Sequence, residues 1–311
     1  MKRVVDFGNK RRSINVIDNI VYSHVKDMDG NPVELKLSIM TQNGNSELKL
    51  AMQGAPVEEE KLPPRPATVW IPGGGYRGCD KNLMLAEMMF LADAGFIVAS
   101  IYYRSSAQGH FPDQIIDVKT AVRFLRAHAA EYEIDPERIG VIGRSAGGHL
   151  AALAGCNVPG YDSEEWSGYS SEVQAVCDMF GPVDFPMMMD DEKVRMKEDP
   201  TYRWKTVEET HLGALMGGDV NTMRERGKEA SPTYQIEGHH ICPMLILHGT
   251  VDPLVSLNAS EKFYDELVAA GYEDQTDFYI LTNAGHGSRE FFQPEIKEII
   301  ENFFKKWLKK Q

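Results

Sequence analysis

A serine flanked by glycines, Gly143-Arg144-Ser145-Ala146-Gly147, follows the apolar run 139–142 directly and precedes an Ala/Leu-rich stretch that reaches Ala154. A serine at a tight strand-to-helix turn is built to attack. The turn strains the backbone, and small residues must flank it because a Cβ two positions away would strike the adjoining strand or helix. The helix N-terminus behind the hydroxyl favours developing negative charge. Ser145 is therefore the candidate nucleophile. At neutral pH the hydroxyl needs an imidazole to take its proton, and the imidazole needs a carboxylate to fix its tautomer. His286, in Asn283-Ala284-Gly285-His286-Gly287, and Asp252, in Thr250-Val251-Asp252-Pro253, supply those types just past apolar runs of strand length. The chemistry implied is acyl transfer through a covalent intermediate.

A tetrahedral intermediate needs amide donors about 2.7–3.1 Å from its developing oxyanion. Gly74 and Gly75, in Pro72-Gly73-Gly74-Gly75 after the run 67–71, are the candidates, with the N–H of Ala146 as the third. Asp184, which also follows an apolar run, is the competing candidate for the acid. His149, one helical turn past Ser145, and His248, in a strand end, read as structural.

These groups need a scaffold that delivers them to one rim. Alternation over Val21, Ser23 and Val25, the turn Asp29-Gly30-Asn31, and alternation from Val33 to Ile39 predict an antiparallel hairpin with one wet face. Residues 4–20 carry no assignment beyond a surface helix or arm, and the polar stretch 42–66 reads as a loop. From residue 67 apolar runs alternate with helical patterns. Strands are expected at 67–71, 96–101, 139–142, 173–180, 244–249 and 277–281. Helices are expected at 81–94, from Pro112-Asp113 onward, at 260–270 and at 294–310. That alternation predicts right-handed crossovers and a doubly wound, mostly parallel α/β sheet, with chemistry at the strand C-termini. Residues 185–235 hold no good strand and read as a helical cap insertion, with Met187 to Met189, Trp204 and Met216 as candidate pocket residues.

No linker divides the chain, so a single domain over 1–311 is expected. A net charge of -13 argues against nucleic-acid or anionic-membrane partners. The four cysteines lack metal-ligand or CxxC spacing and read as reduced thiols; the nine histidines form no metal pattern. With no apolar run of about 18 residues and no apolar core after Lys2 and Arg3, a cytoplasmic protein is expected.

The segments Phe111-Pro112-Asp113-Gln114-Ile115, Ile134-Asp135-Pro136-Glu137-Arg138 and Gly143-Arg144-Ser145-Ala146-Gly147-Gly148-His149-Leu150 closely resemble the bacterial esterase branch called BD-FAE. That branch is related to hormone-sensitive-lipase-type carboxylesterases and to kynurenine formamidases. The likeness runs from about Ala67 to the C-terminus. It implies an α/β-hydrolase fold and a cofactor-free, metal-free serine esterase acting on small acyl esters, with acetyl or feruloyl groups of plant polysaccharides as frequent substrates. It matches Ser145, Asp252 and His286 to a catalytic triad and Gly74, Gly75 and Ala146 to the oxyanion hole. Two departures stand out. Pro72 replaces the histidine usual before the glycines and offers no side-chain donor. Arg144 puts a long cation beside the nucleophile, either to pair with an acid of the insertion or to bind an anionic part of the substrate. An arylformamidase, which differs only in the leaving group, is the alternative reading. A ligand-binding protein on a dead hydrolase scaffold would show a missing triad member, and none is missing. A prolyl-oligopeptidase-like peptidase would need a propeller that the N-terminal part is too short to hold. A homodimer is an open option.

Overall fold

Strands buried on both faces carry apolar residues at successive positions, and such runs become the middle of the sheet. The structure, a computed structural model, describes residues 1–4, 12–42 and 62–308. Its strands are β1 (Ile14–Lys26), β2 (Pro32–Gln42), β3 (Arg65–Ile71), β4 (Ile97–Ile101), β5 (Ile134–Arg144), β6 (Ala175–Met179), β7 (Met244–Gly249) and β8 (Thr276–Leu281). They form one eight-stranded sheet in the order β1-β2-β4-β3-β5-β6-β7-β8. The hairpin β1-β2 and the β2-β4 pair are antiparallel, and every pair from β4 to β8 is parallel.

Alternate residues of the central strands feed two cores. Val69, Ile71, Val141 and Ile246 join the core on one face, with α2 (Asp113–Ala127), α3 (Ala146–Gly155) and α7 (Leu257–Ala269) over it. Trp70, Ile142, Leu245 and Leu247 point the other way, into the core completed by α1 (Met89–Asp93) and the terminal helix α8 (Pro294–Leu308). The two-residue period of the strand makes both faces apolar. From β3 the chain steps to β4 on one side, then returns across β3 to β5 on the other. Strand order therefore reverses at the β3/β5 boundary, whose C-terminal ends leave a crevice with no crossover above it. Gly73 to Gly75 and Ser145 lie just past those two ends.

Three expectations need correction. β1 begins at Ile14, inside the stretch left unassigned, because register shifts between Ile17 and Ile20 and between Val21 and Ser23 destroy the two-residue alternation. The helix expected over 81–94 shrinks to a 3-10 turn, Leu85–Met88, and the short α1, since left-handed Met84 (φ 56) breaks the chain before them. β5 runs from Ile134, well before the expected 139–142 core. Most of the stretch 42–66, and residues 309–310 of the terminal helix, lie outside the described residues. Between β6 and β7 come α4 (Phe185–Glu198), α5 (His211–Met216) and α6 (Val220–Ala230), with no strand among the described residues there. No helix of the described residues is long and apolar enough to cross a membrane.

Candidate active site

Ser145 directly follows β5 and is the N-cap residue of α3, with φ 53 and ψ −124, a backbone conformation that few L-residues adopt. The flanking glycines are forced by contact. A Cβ on Gly143 would overlap the carbonyl of Gly147, and one on Gly147 would overlap the carbonyl of Ile71 in β3. The strain is held by the Ser145 N–H donating to Met179 O at 2.9 Å and by the α3 hydrogen bond from His149 N to Ser145 O at 3.0 Å.

The loop after β8 brings His286 to this turn. Its Nε2 lies 2.8 Å from Ser145 Oγ and its Nδ1 lies 2.7 Å from Asp252 Oδ2. Three side chains from three loops thus form one hydrogen-bonded chain. The Asp252 side chain is 1% exposed, and its Oδ1 accepts the N–H groups of Leu254 (2.8 Å) and Val255 (3.0 Å). Burial pushes this carboxyl up, but the imidazoles of His248 and His286 outweigh it and hold Asp252 well below the usual carboxylate range. His248, read from sequence as structural, braces the loop that carries Asp252. Its Nε2 lies 3.1 Å from Val255 O and 3.5 Å from Asp252 Oδ2, and its Nδ1 contacts Ser260 Oγ at 2.7 Å. Phe180 lies edge-on to the ring of His286, with centroids 4.9 Å apart.

Asp184 sits elsewhere. It caps α4 by accepting the Met187 N–H at 2.9 Å and pairs with Lys262 Nζ at 2.5 Å. His149 is fully buried with Nε2 2.7 Å from Ala230 O, tying α3 to the end of α6. Burial pushes its imidazole down to about 4, so it is neutral.

Gly74 (φ +150) and Gly75 (φ +58) line the same cleft as Ser145 and Ala146. A Cβ on Gly74 would overlap Gly78 O, and one on Gly75 would come 2.6 Å from His211 Nδ1. Ala146 opens α3, so its N–H belongs to the first turn, whose donors have no intrahelical acceptor. Pro72 is braced through its carbonyl instead of a side chain: Tyr103 Oη donates to Pro72 O at 2.9 Å.

The cleft measures about 440 Å³ and reaches from Leu83 and Arg144 to Met188, Tyr202 and Trp204. Met188 and Trp204 line it, whereas Met189 and Met216 are buried in the core. Sequence reasoning missed Glu192, Arg203 and His211, which also line it. No local spacing marks them, since the folding back of 185–235 alone brings them here. Arg77 and Arg203 both lie over the ring of Trp204, with guanidinium carbons 4.9 and 4.3 Å from its centre. Burial, and then the charges of Arg203 and Arg77, hold the imidazole of His211 below its ordinary value. Among the described residues Arg144 has no ion pair with a carboxylate, and its Nη1 contacts the sulfur of Met84. The described residues contain no cluster of three or more His, Cys, Asp or Glu that could hold a metal ion.

A family model described as BD-FAE matches residues 55–267. Esterase LipC of Mycobacterium tuberculosis is 30% identical over 227 residues, covering 72% of this chain and 53% of that protein. The chain spans about half the length of the curated relatives it matches. Among solved structures, a truncated carbohydrate esterase from gut microbiota superposes with a TM-score of 0.75 at 26% identity, covering 96% of this chain and 98% of that one. Esterase 2 of Thermogutta terrifontis shares the fold, with a TM-score of 0.68 at 23% identity over 99% of this chain and 100% of that one.

Proposed function

The chain belongs to the BD-FAE family and has an α/β-hydrolase fold, and from that premise we propose that it is a serine carboxylesterase. Ser145 is the nucleophile, His286 the general base and acid, and Asp252 the residue that fixes the imidazole. His286 takes the Ser145 proton as Oγ attacks the ester carbonyl. The amides of Gly74, Gly75 and Ala146 hold the oxyanion. His286 then protonates the departing alcohol, and water repeats the sequence on the acyl-enzyme. One observation carries this reading: the unbroken chain Ser145 Oγ, His286, Asp252 at 2.8 and 2.7 Å. Residues 185–235 act as a cap within a single domain over 1–311, supported by the placing of Met188, Tyr202 and Trp204 in the cleft wall.

The substrates are short acyl or aryl esters, including acetyl or feruloyl groups on plant polysaccharides. Support comes from the likeness at 26% identity to a solved structure described as a carbohydrate esterase. The free thiols of Cys79, Cys156, Cys177 and Cys242 support a reducing, cytoplasmic setting. The test is Ser145→Ala. It is expected to abolish turnover of p-nitrophenyl acetate and labelling by a fluorophosphonate while the circular dichroism spectrum stays unchanged; undiminished turnover would end the proposal.

A further inference from the structure

Other part-buried arginines among the described residues have an oxygen partner for at least one guanidinium nitrogen, although Arg65 Nε and Nη1 and Arg123 Nε, like Arg144 Nε, have none. Arg104 forks onto Asp117 at 2.7 Å, and Arg65 meets Glu133 at 2.9 Å. Where no carboxylate is close, backbone carbonyls serve: Arg126 donates to Pro136 O, Ser170 O and Glu172 O, and Arg226 to Met216 O and Phe111 O. Arg144, the residue before Ser145, has neither. Its Nε is buried with no acceptor, and its Nη1 faces the sulfur of Met84, a weak acceptor. Its guanidinium carbon lies 5.9 Å from the centre of the Phe180 ring. The residue is half-buried, so its charge is only partly desolvated, but the Nε held from any acceptor still costs free energy. The overall charge of -13 makes the missing acid more telling. The acid of the insertion that lines the cleft, Glu192, is engaged elsewhere, accepting from Tyr202 Oη at 2.5 Å with Arg195 at 4.0 Å.

The position of the guanidinium says which part of a substrate it meets. Arg144 lines the cleft. Its Nη2 lies against Gly287, the residue after His286, where a Cβ would come within 2.7 Å of it. The alcohol of an ester must leave beside His286 to receive its proton, so the alcohol portion passes this loop. A planar guanidinium is shaped to take a carboxylate through two parallel hydrogen bonds.

We propose that Arg144 binds a carboxylate carried on the alcohol side of the substrate, so that the preferred esters are acylated hydroxy acids, among them sugar acids acylated on a hydroxyl. This rests on the esterase reading and adds the substrate class to it.

Matched pairs of aryl acetates test it: 3- and 4-acetoxybenzoate against their methyl esters, which keep the shape and remove the charge. A charge-assisted contact corresponds to about 10- to 100-fold in kcat/KM. The wild type is therefore expected to favour at least one acid over its methyl ester by about tenfold or more, mainly through KM. Arg144→Met is expected to erase that ratio, and Arg144→Lys to retain part of it, since Lys keeps the charge without the fork. Arg144→Gln carries the test if the Met variant does not fold. A second pair, monophenyl adipate and methyl phenyl adipate, places the charge on the acyl side, where no Arg144-dependent preference is expected. Wild-type ratios near one for both acetoxybenzoates, ratios unmoved by substitution, or an Arg144-dependent preference on the adipate pair alone would each overturn the proposal and leave the esterase reading standing. Failure of the wild type to cleave any of these esters, with no fluorophosphonate labelling, would overturn the esterase reading and this proposal with it.

Discussion

Two buried carboxylates follow strands near this site, and their surroundings give them different work. Asp252 spends Oδ2 on His286 and Oδ1 on two backbone amides, so it is held ionised and aimed. Asp184 spends both oxygens away from the imidazole, on the Met187 amide and on Lys262. Asn at 252 would present an amide to an imidazole that must itself donate, leaving the wrong tautomer toward Ser145. Asp252→Asn should lower kcat/KM on p-nitrophenyl acetate by about 10⁴-fold. Asp184→Asn, which still caps α4, should lower it by less than about tenfold and lose stability only through Lys262. Steady-state kinetics of the two variants decide it, and the reverse ranking would reassign the acid. That Ser145, Asp252 and His286 would meet was legible in the sequence because each sits in a short glycine-bearing loop after an apolar run. The partner of Arg144 was not, since whether an acid from 185–235 reaches it depends on tertiary packing.

The turn at Ser145 is held by its neighbours. The Gly147 Cα packs on the Ile71 carbonyl at the end of β3, and Gly143 packs on the Gly147 carbonyl. A methyl group at 147 must push β3 and α3 apart or unwind the turn. Gly147→Ala is accordingly expected to cost at least about 1–3 kcal/mol, as overpacked positions do, and to slow fluorophosphonate labelling of Ser145. Chemical denaturation and a labelling time course measure both, and a variant with wild-type midpoint and labelling rate would refute the contact argument. At this scale the parallel strands were legible because unbroken apolar runs have few other uses. The start of β1 was not, because the shift that spans left-handed Asn19 (φ 60) and a second one between Val21 and Ser23 erase the pattern that marks a half-exposed strand. The short α1 was hidden for a related reason: the composition of 81–94 favours a helix throughout, while its first turns are bent to bring Leu83 O to the indole N–H of Trp70 at 3.1 Å.

Asp178 makes the stability of the whole fold depend on pH. It lies on β6 at 1% exposure, with Oδ1 accepting the Gly181 N–H at 2.8 Å and Oδ2 without a partner. Burial pushes its carboxyl up to about 7, against the pull of that amide and of His248. The unfolded value is about 3.9. Between the two the folded chain holds a proton that the unfolded chain has released, so this group lowers stability progressively as pH rises from about 4 through about 7. Asn keeps the neutral shape and removes the titration. The stability of Asp178→Asn relative to wild type should therefore increase between pH 5 and pH 8, by at least about 1 kcal/mol. Thermal unfolding of both proteins across that range checks it, and parallel profiles would refute it.

Read alone, the amino-acid order determined the alternation of strands and helices, the glycines around residue 145 and the loops bearing residues 252 and 286. Those are local matters, governed by periodicity and by what a tight turn tolerates. Only the tertiary structure decided which side chains of 185–235 wall the cleft, that Tyr103 braces Pro72, and that Arg144 faces the cleft without an acid. Those depend on contacts between segments far apart in sequence, which no local pattern encodes.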